Sequence, residues 1–114
     1  MINLDGLITK EDKEQAAKEA QMRDIDAARD ADLNAGFEWN GMMFDSDEKS
    51  IQRINGIVTL SLLNPAFETD YITQDNTIIH LSAGDIASLA EAAAAHEAYH
   101  VFKARQMKDS LLDN

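Results

Sequence analysis

The sequence predicts an α+β fold, with three helices, two short β-hairpins and long helices at both ends. Three observations carry this. Residues 10–34 and 83–112 are rich in good helix formers, and each run follows a hydroxyl residue with an aspartate three positions on, Thr9/Asp12 and Ser82/Asp85. Two β-prone segments, 37–44 and 67–81, are each interrupted by a turn sequence, Asn40-Gly41 and Gln74-Asp75-Asn76. Between them Ile51, Ile54, Val58 and Leu62 recur at helical spacing.

The first helix is expected over residues 10–34, capped by Thr9 and ended at Asn34-Ala35-Gly36, where Gly36 supplies a left-handed cap. Ala17, Ala20, Ala27, Ala28 and Ala31 share one side, with Asp24 among them. Such small side chains bury little area, so this helix is expected to be weakly anchored, either solvated or set against a partner. Phe37 to Phe44 then alternates around Asn40-Gly41, a pair that accepts positive φ at both turn positions. Phe37, Trp39 and Phe44 make this hairpin a packing anchor.

Asp45-Ser46-Asp47-Glu48 offers several caps to a second helix, which Asn64-Pro65 stops. Tyr71-Ile72-Thr73 and Thr77 to Leu81 form a second hairpin. The third helix starts at Ser82-Ala83-Gly84-Asp85 and carries one long stripe, Ile86, Leu89, Ala93, His96, His100, Ala104, Met107 and Leu111. The core is expected to draw on Phe37, Trp39, Phe44, Ile51, Ile54, Val58, Leu62, Ile78, Leu81, Ile86 and Leu89. Asn40 and Gly41 complete the structural anchors as the turn.

The chain has 114 residues, 45% of them hydrophobic, which suits one small globular unit. Its 10 basic and 21 acidic residues leave a net charge of −11. That balance repels phosphate backbones and anionic lipid, so neither nucleic acid nor membrane is an expected partner. Cysteine is absent, which excludes disulfides, thiolate metal sites and thiol catalysis. Met1 to Lys10 lacks a basic-then-apolar pattern, so no secretion signal is expected. Glu11 to Glu48 holds 12 of the acids and only 4 of the bases. The expected organisation is therefore an acidic N-terminal arm and helix, 1–34, followed by a compact α+β module, 35–114.

His96-Glu97-Ala98-Tyr99-His100 matches H-E-x-x-H on a helix, the spacing with which zinc hydrolases put two imidazoles on one face beside a general base. A catalytic zinc also needs a third protein ligand. None of the 14 residues after His100 is His or Glu. Asp109, on the same rigid helix, cannot reach back. Both histidines also lie in the packing stripe of the third helix. Packing histidines are therefore the expectation, with no catalytic residue and no cofactor. A small zinc-dependent hydrolase built on His96, Glu97 and His100 is the alternative. Ser82 beside His80 and Asp85 is expected to be a cap rather than a nucleophile, and Asp45, Asp47 and Glu48 a capping cluster rather than a cation site. A third option, an acidic mimic of nucleic acid, needs its charges spaced like phosphates.

From Arg23 onward the order of motifs resembles a known family. The carriers are Ala35-Gly36-Phe37-Glu38-Trp39-Asn40-Gly41, Phe44-Asp45-Ser46-Asp47, Ser50-Ile51-Gln52-Arg53-Ile54-Asn55-Gly56, Thr73-Gln74-Asp75-Asn76-Thr77 and Ala104-Arg105-Gln106-Met107-Lys108-Asp109. The chain resembles, over roughly residues 23–112, the tailed-bacteriophage tail-protein family catalogued as domain of unknown function 4376. That resemblance implies a non-enzymatic structural or chaperone module of the tail fibre or baseplate. Its partners would be tail fibre or other phage tail proteins. Its place would be the virion tail, or the host cytoplasm during assembly. The symmetry of tail organelles implies a homo-oligomer. The family supplies no catalytic residues. It commonly has a Trp before the Thr-x-Asp-Asn step, where Tyr71 is the nearest aromatic here.

Overall fold

A computed structural model describes residues 9–113 of the chain. The expectation of no export signal in Met1 to Lys10, and the first eight residues of the 1–34 arm, fall mostly or wholly outside them. The elements run α1 (Lys10–Asn34), β1 (Phe37–Trp39), β2 (Met42–Phe44), α2 (Glu48–Leu63), β3 (Thr69–Ile72), β4 (Ile78–Leu81) and α3 (Ala83–Leu112). This is the α+β arrangement of three helices and two antiparallel hairpins, with long terminal helices.

Local chemistry sets the boundaries. At the start of α1, the Asp12 N–H donates to Thr9 Oγ1 at 3.0 Å and the Thr9 N–H donates to Asp12 Oδ2 at 3.1 Å. Ser82 and Asp85 repeat this box at the start of α3, at 3.2 and 3.0 Å. α2 is capped differently. Asp47 is its N-cap residue, but its carboxylate accepts the Ser50 hydroxyl rather than a backbone N–H.

In the first hairpin Asn40 (φ +52°) and Gly41 (φ +75°) both lie in the left-handed region, and Trp39 pairs with Met42 across the turn. The second turn is closed by side chains. Asp75 Oδ1 accepts from the Thr73 hydroxyl at 2.6 Å and from the Thr77 N–H at 3.1 Å, and Asn76 takes φ +67°.

Phe44 sits at the centre of the core and is fully buried. The rings of Phe37, Trp39 and Tyr71 surround it at centroid distances of 5.7, 5.9 and 5.9 Å. Burying a side chain of this size stabilises the fold by about 1.5–3 kcal/mol. Ile54 of α2, Leu81 of β4, and Ile86, Leu89 and Ala93 of α3 complete the cluster. Of the other expected core residues, Trp39, Ile51 and Val58 are half-buried against it.

Two expected core positions are corrected. Leu62 is 79% exposed, because the last turn of α2 runs past the end of the core. Ile78 is 68% exposed, because strand alternation turns Ile79 and Leu81 inward and leaves Ile78 opposite Ile72 on the outer face.

The docked side of α1 is also not the alanine side. Ala17, Ala27, Ala28 and Ala31 are exposed and Ala20 is partly covered, as are Met22, Ile25, Asp26, Arg29, Asp32 and Leu33. Longer side chains reach α3 where alanine does not. α1 runs antiparallel to α3, with Leu33 against His96, Asp32 against His100 and Asp26 against Lys108. No residue of α1 is fully buried, so its attachment rests on a thin seam. Beyond the core the two helices form a two-helix arm, and the chain measures 74 × 27 × 25 Å.

Candidate functional site

The one sequence motif with a catalytic precedent lies where α1 ends, α2 begins and α3 passes between them. A cleft of about 420 Å³ opens there, lined among others by Asp30, Leu33, Ser46, Ile51, His96 and Glu97. Helical spacing puts His96 and His100 on one side of α3, with ring centroids 4.7 Å apart and planes at 74°.

Each histidine already has a structural neighbour. His96 Nε2 lies 3.3 Å from the Leu33 carbonyl oxygen. A carbonyl only accepts, so the contact is a hydrogen bond in the tautomer protonated at Nε2, in which that nitrogen has no lone pair free for a metal. The ring also lies 6.0 Å from that of Phe37. His100 Nδ1 is enclosed and faces Asp32 Oδ2 at 3.7 Å, across the seam between α3 and α1. The edge of Tyr99 packs on the same ring at 5.0 Å.

This arrangement does not fit a zinc ion held between the two imidazoles. A metal ligated by His96 Nε2 would break its bond to α1. Among the described residues no group of three or more His, Asp or Glu side chains converges as a metal requires. What the motif does here is attach α1 to α3.

The same junction holds a residue that sequence reasoning read only as a cap. Ser46 is buried, donates its hydroxyl to the Leu33 carbonyl at 2.5 Å, and accepts the Gly36 N–H at 2.8 Å. It thus satisfies two backbone groups freed by the end of α1. Leu33 O is shared, taking Ser46 from one side and His96 from the other. Gln74 ties the second hairpin to the same place. Its N–H donates to the Met43 carbonyl at 2.9 Å, and its side-chain amide donates to Ala35 O at 3.3 Å. Gly36, at φ +104°, admits this approach: a Cβ there would lie 2.7 Å from Gln74 Nε2 and 2.9 Å from Phe44 O. No local pattern marks Ser46 or Gln74 in the sequence, since their partners lie far along the chain.

The remaining candidates resolve into structural roles. Ser82 and Asp85 are engaged with each other's backbone, and those bonds hold the Asp85 carboxyl below the usual carboxylate range. His80 is instead gripped by acids. Its Nδ1 lies 2.9 Å from Asp70 and its Nε2 3.4 Å from Glu68, on the solvent face of the second hairpin. Hydrogen bonding to Asp70 first, then to Glu68, raises its pKa above the ordinary histidine value. Asp47 is held low chiefly by the Ser50 hydroxyl. On the arm, Asp26 meets both Lys108 and Arg29, and the Lys108 hydrogen bond is the main cause of its lowered pKa. Trp39 of the first hairpin donates its indole N–H to Ser88 Oγ at 3.0 Å, fixing the hairpin to α3. No helix among the described residues is long and apolar enough to cross a membrane.

Comparison with known proteins identifies the family. The model of the domain of unknown function DUF4376 matches residues 16–114, and the chain belongs to that family. No curated protein and no solved structure matches the chain.

Proposed function

We propose that this chain is a non-enzymatic module of a bacteriophage tail, a structural or assembly component associated with the tail fibre or baseplate. The observation that carries the interaction role is the shape: a small aromatic head extended by a thin two-helix arm. The head also presents Leu62 and Leu63 in adjacent exposed positions at the end of α2. Such surface favours protein contact over small-molecule chemistry. The use of His96 and His100 to attach α1 counts against the hydrolase alternative. The tail setting itself rests on the motif resemblance described for residues 23–112.

Mass spectrometry of purified virions tests the reading. A structural subunit is expected at fixed copy number. An assembly chaperone is expected to be absent from virions, with fibre protein insoluble when this chain is deleted. Absence from virions together with unaffected fibre and baseplate assembly would overturn the proposal.

A further inference from the structure

The core of the head is complete without α1. Its buried cluster runs from Phe37 to Ala93, and none of the half-buried apolar residues packed on it comes from α1. No residue of α1 is itself buried. On α3, Ala104 is buried beside Ile25 and Arg29 of α1, outside that cluster. α1 and the second half of α3 therefore rest chiefly on each other. A part held in this way opens at a lower free energy than the whole fold.

The seam has unequal ends. At the Leu33 end, Leu33 O takes both Ser46 and His96, and the Gly36 N–H donates to Ser46. These bonds are buried or part-buried, and they tie the end of α1 to α3 and to the loop before α2. Toward Lys10 the seam is more open. Asp26 pairs with Lys108 and, at 3.2 Å, with Arg29, and these side chains keep 29–39% of their surface exposed. Ion pairs so open to water add little stability. Ile25 lies beside Ala104 and Met107 there and is only half-buried. α3 ends at Leu112, four residues past Lys108. In antiparallel register that is level with Met22, so Lys10 to Gln21 run past its end. A helix of about three turns without packing is marginal in water.

We propose that α1 is a releasable strap on α3. It peels from the Lys10 end while the head stays folded, with the Leu33 junction as the fixed end and the Asp26–Lys108 pair as the clasp. Release uncovers Ala104 and frees the side of α3 that carries His100 and Lys108. It also loosens α3 beyond residue 100, which packs on α1 and not on the head. The proposal goes beyond the tail reading and does not rest on it.

Native-state hydrogen exchange of the full chain, read residue by residue by NMR, tests it. Protection, corrected for sequence, is expected to rise along α1 from Lys10 toward Leu33. In the first half of α1 it should lie at least about tenfold below that of Leu89. Asp26→Asn should speed exchange in α1 and in residues 101–112 several-fold, and leave both hairpins and α2 unchanged. Lys108→Gln should do the same, and the double variant should add little to either. Asp24→Asn removes the same charge from an exposed position and should have no such effect. Protection of the first half of α1 equal to that of Leu89 would overturn the proposal. So would an Asp26→Asn variant that loosens the head as much as α1, or an equal effect of Asp24→Asn. The wild-type gradient decides the matter even if a variant fails to fold.

Discussion

The Ser46 hydroxyl and the Leu33 carbonyl, 2.5 Å apart, join the end of α1 to the loop that starts α2. Ser46 is buried, and it also accepts the Gly36 N–H. Ser46→Ala leaves that N–H without its partner and Leu33 O with His96 alone. An unsatisfied buried donor costs about 1–3 kcal/mol. The expected result is a loss of that size in urea unfolding, with unchanged dependence on denaturant concentration. A variant as stable as wild type would show that water replaces the hydroxyl without penalty.

Gly36 is irreplaceable for two separate reasons, its positive φ and the approach of Gln74 and Phe44 O. Gly36→Ala is expected to cost about 1–3 kcal/mol from backbone strain alone. The displaced Gln74 adds to that. Gly41 also has positive φ but nothing lies within 4 Å of a Cβ there, so Gly41→Ala should cost less. Thermal melts of the two variants compared side by side measure the difference.

Trp39 is half-buried, so Trp39→Ala should cost less than the about 3–5 kcal/mol of a fully buried aromatic. Trp39→Phe keeps most of the contact with Phe44 and removes the bond to Ser88. Its expected cost is about 0.5–1.5 kcal/mol. Equal destabilisation by the two variants would assign the anchor to the hydrogen bond rather than to the ring.

His80 gives the second hairpin a dependence on pH. Its pKa is raised by Asp70 and then Glu68, so the folded value lies above the unfolded one of about 6.5. The stabilisation by charged His80 is therefore complete below about 6.5 and is lost as pH rises through the folded value. Proton NMR titration should show His80 above the ordinary value, and Asp70→Asn should bring it down. A titration unaffected by Asp70→Asn would contradict the contact.

The elements were legible because their signals are local. Thr9/Asp12, Ser82/Asp85 and Asn40-Gly41 each act within a few residues, and each does in the structure what its chemistry requires. Which face an element buries is not local. The alanines of α1 look like a packing stripe on a helical wheel, yet Ile25 and Leu33 are the residues that meet α3. Ile25 and Leu33 stand eight positions apart, a helical spacing obscured by Asp26 and Arg29 on the same side. Leu62 keeps helical spacing with Ile51, Ile54 and Val58 but lies past the end of what they pack against. The motif His96-Glu97-Ala98-Tyr99-His100 was legible as packing, since it continues the stripe of Ile86, Leu89 and Ala93. Its partners on α1, Leu33 and Asp32, were not, because pairing residues 63 and 68 positions apart leaves no mark in either helix.

His96 and His100 bridge α3 to α1 through Leu33 O and Asp32. Nitrogen-15 NMR of the two imidazoles during a zinc titration checks whether that bridge excludes a metal. His96 Nε2 is expected to keep its proton, with no stoichiometric zinc bound. One-to-one binding of zinc with loss of the His96 Nε2 proton would show instead that the pair is a metal site.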